Sequence, residues 1–167
     1  MPLITGDDKW HQVALAANAA VYAALTSKPG RYGVVPGAIV WDDCSCGLLA
    51  TSWVQSWLST VFPAEDTNPQ GNCDVPWEVS EFAVQIVRCA PTSDDQGRPP
   101  STDTLAKAAL LMAVDGNQLE TSVSKLLCQM LEDGKIIDFM VNRRTTQGPE
   151  GGCVGSELRF MVGLGRG

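Results

Sequence analysis

Two segments near the C-terminal end of the chain, residues 135–144 and 157–164, carry large apolar side chains at every second position. The apolar positions are Ile137, Phe139, Val141, Leu158, Phe160 and Val162. Successive side chains of a β-strand point to opposite faces of the sheet, so this period predicts two strands that each bury one face. The Gly-rich segment 147–155 between them predicts a loop that joins antiparallel strands in a hairpin.

A second pair of strands is predicted earlier in the chain, at residues 48–62 and 77–90. Both segments are rich in the β-branched and aromatic residues that suit strands. In the first, Leu49, Trp53 and Trp57 would also line one face of a helix, so its pattern is less specific. The polar loop 64–76 connects the two strands, which predicts another hairpin. Residues 31–46, with a turn at Pro36-Gly37, are predicted to be irregular.

Two helical regions precede the two hairpins. Residues 8–26 hold many alanines, the strongest helix formers, and Asp7 or Asp8 can cap the first turn. Residues 102–132 begin after a capping Ser101 or Thr102 and carry an apolar stripe along one side. Its first part has the apolar face Leu105, Ala108, Ala109 and Met112. The central segment Asp115-Gly116-Asn117 is predicted to break or kink this region, because a central glycine weakens a helix.

The element order is therefore α-β-β-α-β-β within a single domain that covers residues 1–167. This order predicts an α+β fold, in which a small antiparallel sheet of two hairpins has both helices packed on one face. A chain of 167 residues is long enough for one core, and its 44% apolar and 19% charged residues are close to globular averages.

Charge and hydropathy exclude several classes of function. The formal net charge is −7 with only 12 basic residues, which argues against a nucleic-acid-binding module. No segment offers the roughly 18 uninterrupted apolar residues of a membrane span, so no membrane partner is expected. The N-terminus lacks the basic start and apolar run of a signal peptide, which predicts folding in a cytoplasm.

The chain offers few residues for catalysis, so we expect neither an enzyme nor a cofactor. His11 is the single histidine, and no nucleophile lies near it in the sequence. The segment 148–155 lacks the lysine of a phosphate-binding loop. The carboxylate pairs Asp42-Asp43, Asp94-Asp95 and Glu132-Asp133 fall in predicted loops or at element ends, where solvated charge is the ordinary case.

The cysteines leave one alternative open. Cys44 and Cys46 stand two positions apart, and with Cys73 and Cys153 they could form a four-thiolate zinc site in a binding module. Structural zinc sites favour pairs with a longer spacing, so no metal site is assigned. A disulfide from Cys44 or Cys46 to Cys73 or Cys153 is a further alternative, for a protein that leaves the reducing cytoplasm.

The five tryptophans are numerous for this length, and Trp53 and Trp57 are the candidates for contacts between subunits. Tryptophan buries a large area at low entropic cost and is enriched at interfaces. An ordinary core position is the alternative for each of them.

Three stretches of the sequence resemble a known family. They are PGAIVWDDCSCGLLA at 36–50, RCAP at 88–91 with the Asp94-Asp95, Gly97 and Pro99-Pro100 that follow, and GPEGGCVG at 148–155. Together they look like the tail terminator proteins of long-tailed bacteriophages, or siphophages, that infect actinobacteria, which are also described as head-to-tail connectors. The resemblance extends from about Trp10 to Leu164.

The resemblance implies a structural virion protein with no catalytic residues. Such proteins have an α+β fold and form a hexameric ring at the head-proximal end of the tail tube, where they stop tube growth. Partners would be further copies of the chain, the major tail tube protein and the head-neck stopper protein, and DNA would pass through the ring without specific binding. The location would be the neck of the virion, after synthesis in the host bacterial cytoplasm. The acidic net charge agrees with such a pore.

Under this resemblance, the long loops would contact neighbouring subunits, the tube or the neck. The candidates in these loops are Asp94, Asp95, Gly148 and Glu150. The alternative within the same class is another ring of the neck, a head-completion stopper or an adaptor.

Overall fold

The computed structural model describes residues 3, 4, 6, 8–39, 47–67, 75 and 77–166. These residues form two helices and five strands. The elements are α1 (Lys9–Ala24), β1 (Arg31–Val34), β2 (Leu48–Ser59), β3 (Trp77–Cys89), α2 (Thr102–Glu132), β4 (Phe139–Glu150) and β5 (Cys153–Gly165). No helix within the described ranges is long and apolar enough to cross a membrane.

The strands form one sheet with the order β1-β2-β3-β5-β4. β2 and β3 form one antiparallel pair and β4 and β5 another, and the antiparallel pairing of β3 with β5 joins the two hairpins. β1 runs parallel to β2 at one edge of the sheet, and β4 forms the other edge. The α+β class and the two antiparallel hairpins are therefore confirmed, while β1 makes the sheet mixed.

The strand β1 corrects the prediction of irregular structure at its position. It pairs with the start of β2, and the buried Asn18 of α1 forms hydrogen bonds with both strands. The Asn18 side-chain Nδ2 donates to the carbonyl oxygen of Gly33 at 3.1 Å and to Oγ1 of Thr51 at 3.0 Å. The sequence pattern missed β1 because a four-residue edge strand is held by backbone pairing and a side chain from a distant helix, and needs no apolar alternation of its own.

Both helices pack on the same face of the sheet, as the sequence predicted. Phe82 of β3 and Phe160 of β5 stack at the centre of this face, with ring centroids 5.2 Å apart. The buried apolar residues of the core are Val13, Ala14, Ala17, Val21, Leu25, Leu49, Phe82, Val84, Ile86, Leu119, Val123, Leu127, Met130, Ile136, Leu158, Phe160, Val162 and Leu164. Full burial of each large apolar side chain contributes about 1.5–3 kcal/mol to the stability of the fold.

The second hairpin is longer than its sequence pattern predicted. β4 covers residues 139–150, where the pattern predicted 135–144, and β5 begins at Cys153, where the pattern predicted residue 157. The turn consists of Gly151 and Gly152, with φ of 54° and 74°. Glycine adopts this left-handed conformation without steric cost, so two adjacent glycines close a tight turn and the predicted long loop becomes paired strand.

α2 runs without a break through Asp115, Gly116 and Asn117, where the sequence predicted a break or kink. A Cβ at position 116 would lie 2.9 Å from Nε of Arg144, so the glycine makes room for an arginine of β4. Nη1 of this arginine donates to a carboxylate oxygen of Glu120, one turn further along α2, at 3.1 Å. The helix tolerates the roughly 1 kcal/mol cost of a central glycine because this turn packs against the sheet.

α2 has two halves with different surroundings. Residues 102–114 are exposed or only partly buried, and Asp115 is the first fully buried residue of the helix. Asp115 contacts Arg88, next to the last residue of β3, so the preceding helical turns extend past the end of that strand. At 1.5 Å of rise per residue this projecting part is about 20 Å long.

The contact between Arg88 and Asp115 is bidentate. Nε of Arg88 lies 2.9 Å from Oδ2 of Asp115, and Nη2 lies 3.0 Å from Oδ1. Nη2 also donates to the carbonyl oxygen of Ser27, beyond the end of α1, at 2.5 Å. The side chains of Arg88 and Asp115 are 12% and 2% exposed, so this ion pair fastens β3, α2 and the segment after α1 together in a nearly dry environment.

Replacing Asp115 with Ala is expected to lower the free energy of unfolding by about 3 kcal/mol, because it leaves the buried Arg88 guanidinium without its carboxylate. Urea-induced unfolding measures the change. The control is Glu120→Ala on the same helix, which removes an exposed ion pair with Arg144 and should cost less than about 1 kcal/mol. Equal losses in the two variants would contradict the role assigned to the Arg88–Asp115 pair.

Candidate assembly surfaces

The six residues predicted to contact other subunits lie in two groups at different places in the fold. Trp53 and Trp57 belong to β2, and Trp57 pairs with Val79 near the start of β3. The other four lie beyond the opposite end of β3, in the loop after this strand and at the end of β4. The backbone N–H of Ala90 donates to the carbonyl oxygen of Gly152 at 2.7 Å, which brings these two segments side by side. Their roles in assembly stay predictions.

Trp53 and Trp57 are both partly engaged within the chain. Trp53 stacks on Trp10 of α1, with ring centroids 5.5 Å apart, and its Nε1 donates to Oγ of Ser56 at 2.9 Å. Nε1 of Trp57 donates to the carbonyl oxygen of Pro63 at 2.8 Å. Trp53 remains 39% exposed, so its outer surface is open to a partner.

Asp94 and Asp95 play different parts in the loop after β3. Oδ1 of Asp94 accepts hydrogen bonds from the backbone N–H groups of Gln96 and Arg98 at 2.9 and 3.0 Å. Oδ2 accepts a hydrogen bond from Nε of Arg98 at 2.7 Å. The backbone and side-chain hydrogen bonds from Arg98 lower the pKa of Asp94 from its ordinary value. Asp95 is exposed and has no ion pair with any described residue. Asp94 therefore shapes the loop, and Asp95 carries its unpaired charge.

Gly148 and Glu150 lie near the tip of the second hairpin. Gly148 has a φ of 88°, and a Cβ at this position would collide with the carbonyl oxygen of Cys153. Glu150 pairs with Cys153 in the sheet register, and its side chain is exposed. Gly148 thus serves the local backbone path, while the Glu150 carboxylate is accessible to a partner.

The sheet face opposite the helices carries a polar row that the sequence analysis missed. Gln85 donates to Oε2 of Glu157 at 2.6 Å, and Oε1 of Glu157 accepts Nε of Arg159 at 2.8 Å. Nη1 of Arg159 lies 3.7 Å from Glu81, which also accepts from Gln55 at 2.7 Å. The hydrogen bond to Glu157 raises the pKa of Arg159 from its ordinary value. With two carboxylates and one guanidinium, the row carries a net negative charge.

The projecting part of α2, residues 102–114, forms an arm. Leu105 is 46% exposed and Leu110 is 66% exposed, and Lys107 is the only charged residue between positions 105 and 114. Lys107 pairs with Asp103, also in the arm, at 2.7 Å. A helix that is apolar on all sides is normally buried, so this exposed segment marks a surface for a partner. The sequence showed its apolar stripe but not that the core ends before it.

The residues considered for catalysis and for metal binding are His11 and the cysteines. His11 is exposed and makes an edge contact with the ring of Trp10, at 5.5 Å between ring centroids. Within the described ranges, no group of three or more His, Cys, Asp or Glu side chains could hold a metal ion. Cys153 is buried, with its Sγ 3.7 Å from the carbonyl oxygen of Gly151, while Cys44, Cys46 and Cys73 lie outside the described residues.

A scan against models of protein families gives no match for this chain, and a search of curated proteins gives none either. Among solved structures, the chain is similar to a chain described as "Virion of native gene transfer agent (GTA) particle". The two are 14% identical with a TM-score of 0.41, over 93% of this chain and 90% of that chain. Similarity at this level does not establish a shared function.

Replacing Arg159 with Met is expected to lower the free energy of unfolding by roughly 1–3 kcal/mol at neutral pH, because Glu81 and Glu157 would be left largely buried without a cation. Urea-induced unfolding measures the loss. Arg143→Met, which removes an exposed arginine without an ion pair to any described residue, should stay within about 0.5 kcal/mol. A loss no larger than that of Arg143→Met would contradict the electrostatic explanation.

The loop at Asp94 is expected to loosen in acid. A folded-state pKa below the ordinary value means that the carboxylate form stabilises the loop, so this stabilisation is present above the ordinary pKa and is lost as the pH falls through the lowered one. Amide chemical shifts of Gln96 and Arg98, followed by NMR during a pH titration, measure the transition. Asp94→Asn should abolish it, while Asp95→Asn should leave it in place. A transition that survives Asp94→Asn would assign it to another group.

Proposed function

We propose that this chain is a structural protein of a phage-like virion, and more specifically a tail terminator. In this proposal, copies of the chain form a ring, a hexamer by family resemblance, on the head-proximal end of the tail tube. The ring stops tube growth and joins the tail to the head through the stopper protein. DNA passes through it without specific binding.

The observation that carries the proposal is the exposed apolar arm of α2. A monomer gains nothing from a helix about 20 Å long that holds Leu105 and Leu110 in water, whereas a subunit of an assembly buries such a helix against a neighbour. The arm therefore favours a protein that works as part of a larger structure over a small enzyme or a monomeric binding module.

The sequence resemblance supports the narrower assignment to tail terminators. Arg88 begins the second of the three matching stretches, and it is the residue that fastens the base of the arm through Asp115. The third stretch forms the tip of the second hairpin, which lies beside the start of the loop after β3. Two of the three stretches thus meet at one end of the sheet, next to the arm.

The electrostatics agree with a passage for DNA. The net charge of the chain is −7. A ring built from copies with this charge repels the phosphate backbone, so DNA would slide past it without being held. We further propose that the protein is not an enzyme, because the exposed His11 has no nucleophile or carboxylate bonded to it among the described residues.

Disabling the gene in its phage is expected to give filled heads beside unattached tails of abnormal, extended length, because nothing would stop the tube from growing. Negative-stain electron microscopy of the lysate measures tail length and attachment. Supplying the intact gene from a plasmid should restore normal tails.

Other outcomes would contradict the terminator assignment. Tails of normal length beside heads that have lost their DNA would instead indicate the stopper or adaptor of the neck. Intact infectious particles would contradict a role in the virion altogether.

A further inference from the structure

We propose that the arm of one copy docks in a groove between α1 and α2 of a second copy, so that the copies associate head to tail. This inference rests on the proposed function and deepens it, because it names the contact through which the ring is built. It identifies both the docking helix and the surface that receives it.

The groove runs along the outer side of the two helices and has a volume of about 470 Å³. It is lined by Ala20, Ala23, Ala24, Thr121, Lys125 and Leu126, among others. Alanine side chains on the α1 wall leave space at the surface, so another helix can approach closely. Helices pack with their axes about 8–10 Å apart, and the shorter distances require small residues at the contact.

The arm cannot fill the groove of its own chain. One wall of the groove is formed by the part of α2 that follows Asp115, and the arm is the part of the same unbroken helix that precedes it. A straight helix cannot fold back along its own side. An arm that enters such a groove must therefore come from a second copy.

Charge complementarity supports this pairing. Lys125 lines the groove, is exposed, and has no ion pair with any described residue. Asp95, in the loop that leads into the arm, is likewise exposed and has no such ion pair. An arm that docks with its N-terminal end toward Lys125 places an unpaired anion beside an unpaired cation, which favours this orientation.

The docking contact joins two different surfaces of the same molecule. Every copy then offers one arm and one groove, so each added copy leaves a site for the next. Contacts of this kind produce closed rings when the rotation between copies closes, and open filaments when it does not. The tail tube protein is the alternative partner for the same arm, and assembly of the purified chain alone separates the two.

Two variants of the full-length chain test the proposal. Leu110→Glu places a charge on the most exposed leucine of the arm, and glutamate is a good helix former, so the fold should persist. Ala24→Arg fills the groove at the end of α1, where a positive charge suits the helix C-terminus. Leu15→Glu is the matched control, because it introduces the same charge at an exposed leucine outside both surfaces. Circular dichroism checks that all three fold.

Sedimentation velocity is expected to show an oligomer for the wild type and for Leu15→Glu, and monomers for Leu110→Glu and for Ala24→Arg. An equal mixture of the two monomeric variants should form a dimer and go no further. The intact groove of Leu110→Glu receives the intact arm of Ala24→Arg, while the other two surfaces are blocked. The mass should therefore double upon mixing.

Three results would overturn the docking contact. They are a wild type that stays monomeric at the highest soluble concentration, a single variant that still assembles, and a mixture that stays monomeric. A monomeric wild type that binds purified tube protein through Leu110 would assign the arm to the tube. The gene-disrupted phage separates this failure from that of the function. If the intact gene and Leu110→Glu both restore normal tails, the docking contact is wrong and the terminator function stands.

Discussion

The ion pair between Arg88 and Asp115 decides how the rest of the molecule is arranged. It lies where the last turns of the core meet the first turns of the arm, and water has little access to either side chain. Removing two charges from water is costly, and the bidentate geometry together with the bond to Ser27 offsets that cost at one position of α2 only. Sliding the helix by one turn would bury both charges unpaired. The pair therefore fixes how much of α2 packs on the sheet and how much projects.

The strands that the sequence predicts well are those whose own side chains carry the pattern. β3 and β5 lie at the centre of the sheet, and the alternation of β5 around Phe160 follows directly from burial of one face. β1 escapes prediction because its partner is β2, across a long connection, and its support is the Asn18 side chain of α1. The glycine at position 116 likewise accommodates the side chain of Arg144, a residue far along the chain. Local sequence patterns cannot predict contacts between residues that are far apart in the chain.

The candidate assembly surfaces also differ in how far the sequence predicts them. The resemblance to tail terminators implied contacts through the loops at Asp95 and Glu150, and these contacts stay predictions. The sequence could not indicate the arm, because the apolar stripe at Leu105 has the same spacing whether the core continues beneath it or not. Where the core ends is set by the length of β3 and by the Arg88–Asp115 pair. The polar row stayed hidden for a similar reason, since its members come from three strands that meet only in the folded sheet.

In the proposed assembly, the angle between neighbouring copies depends on the direction of the arm. A head-to-tail contact closes into a ring only when every copy turns by the same amount, and an arm that swung freely would allow open chains. The base of the arm is held from two sides, by Arg88 of β3 at Asp115 and by Arg144 of β4 beside Gly116. These contacts hold α2 to the sheet directly after the arm, so they set the direction in which the arm leaves the core. Glycine at position 116 contributes to this arrangement because its missing Cβ leaves the space in which the Arg144 side chain reaches the helix.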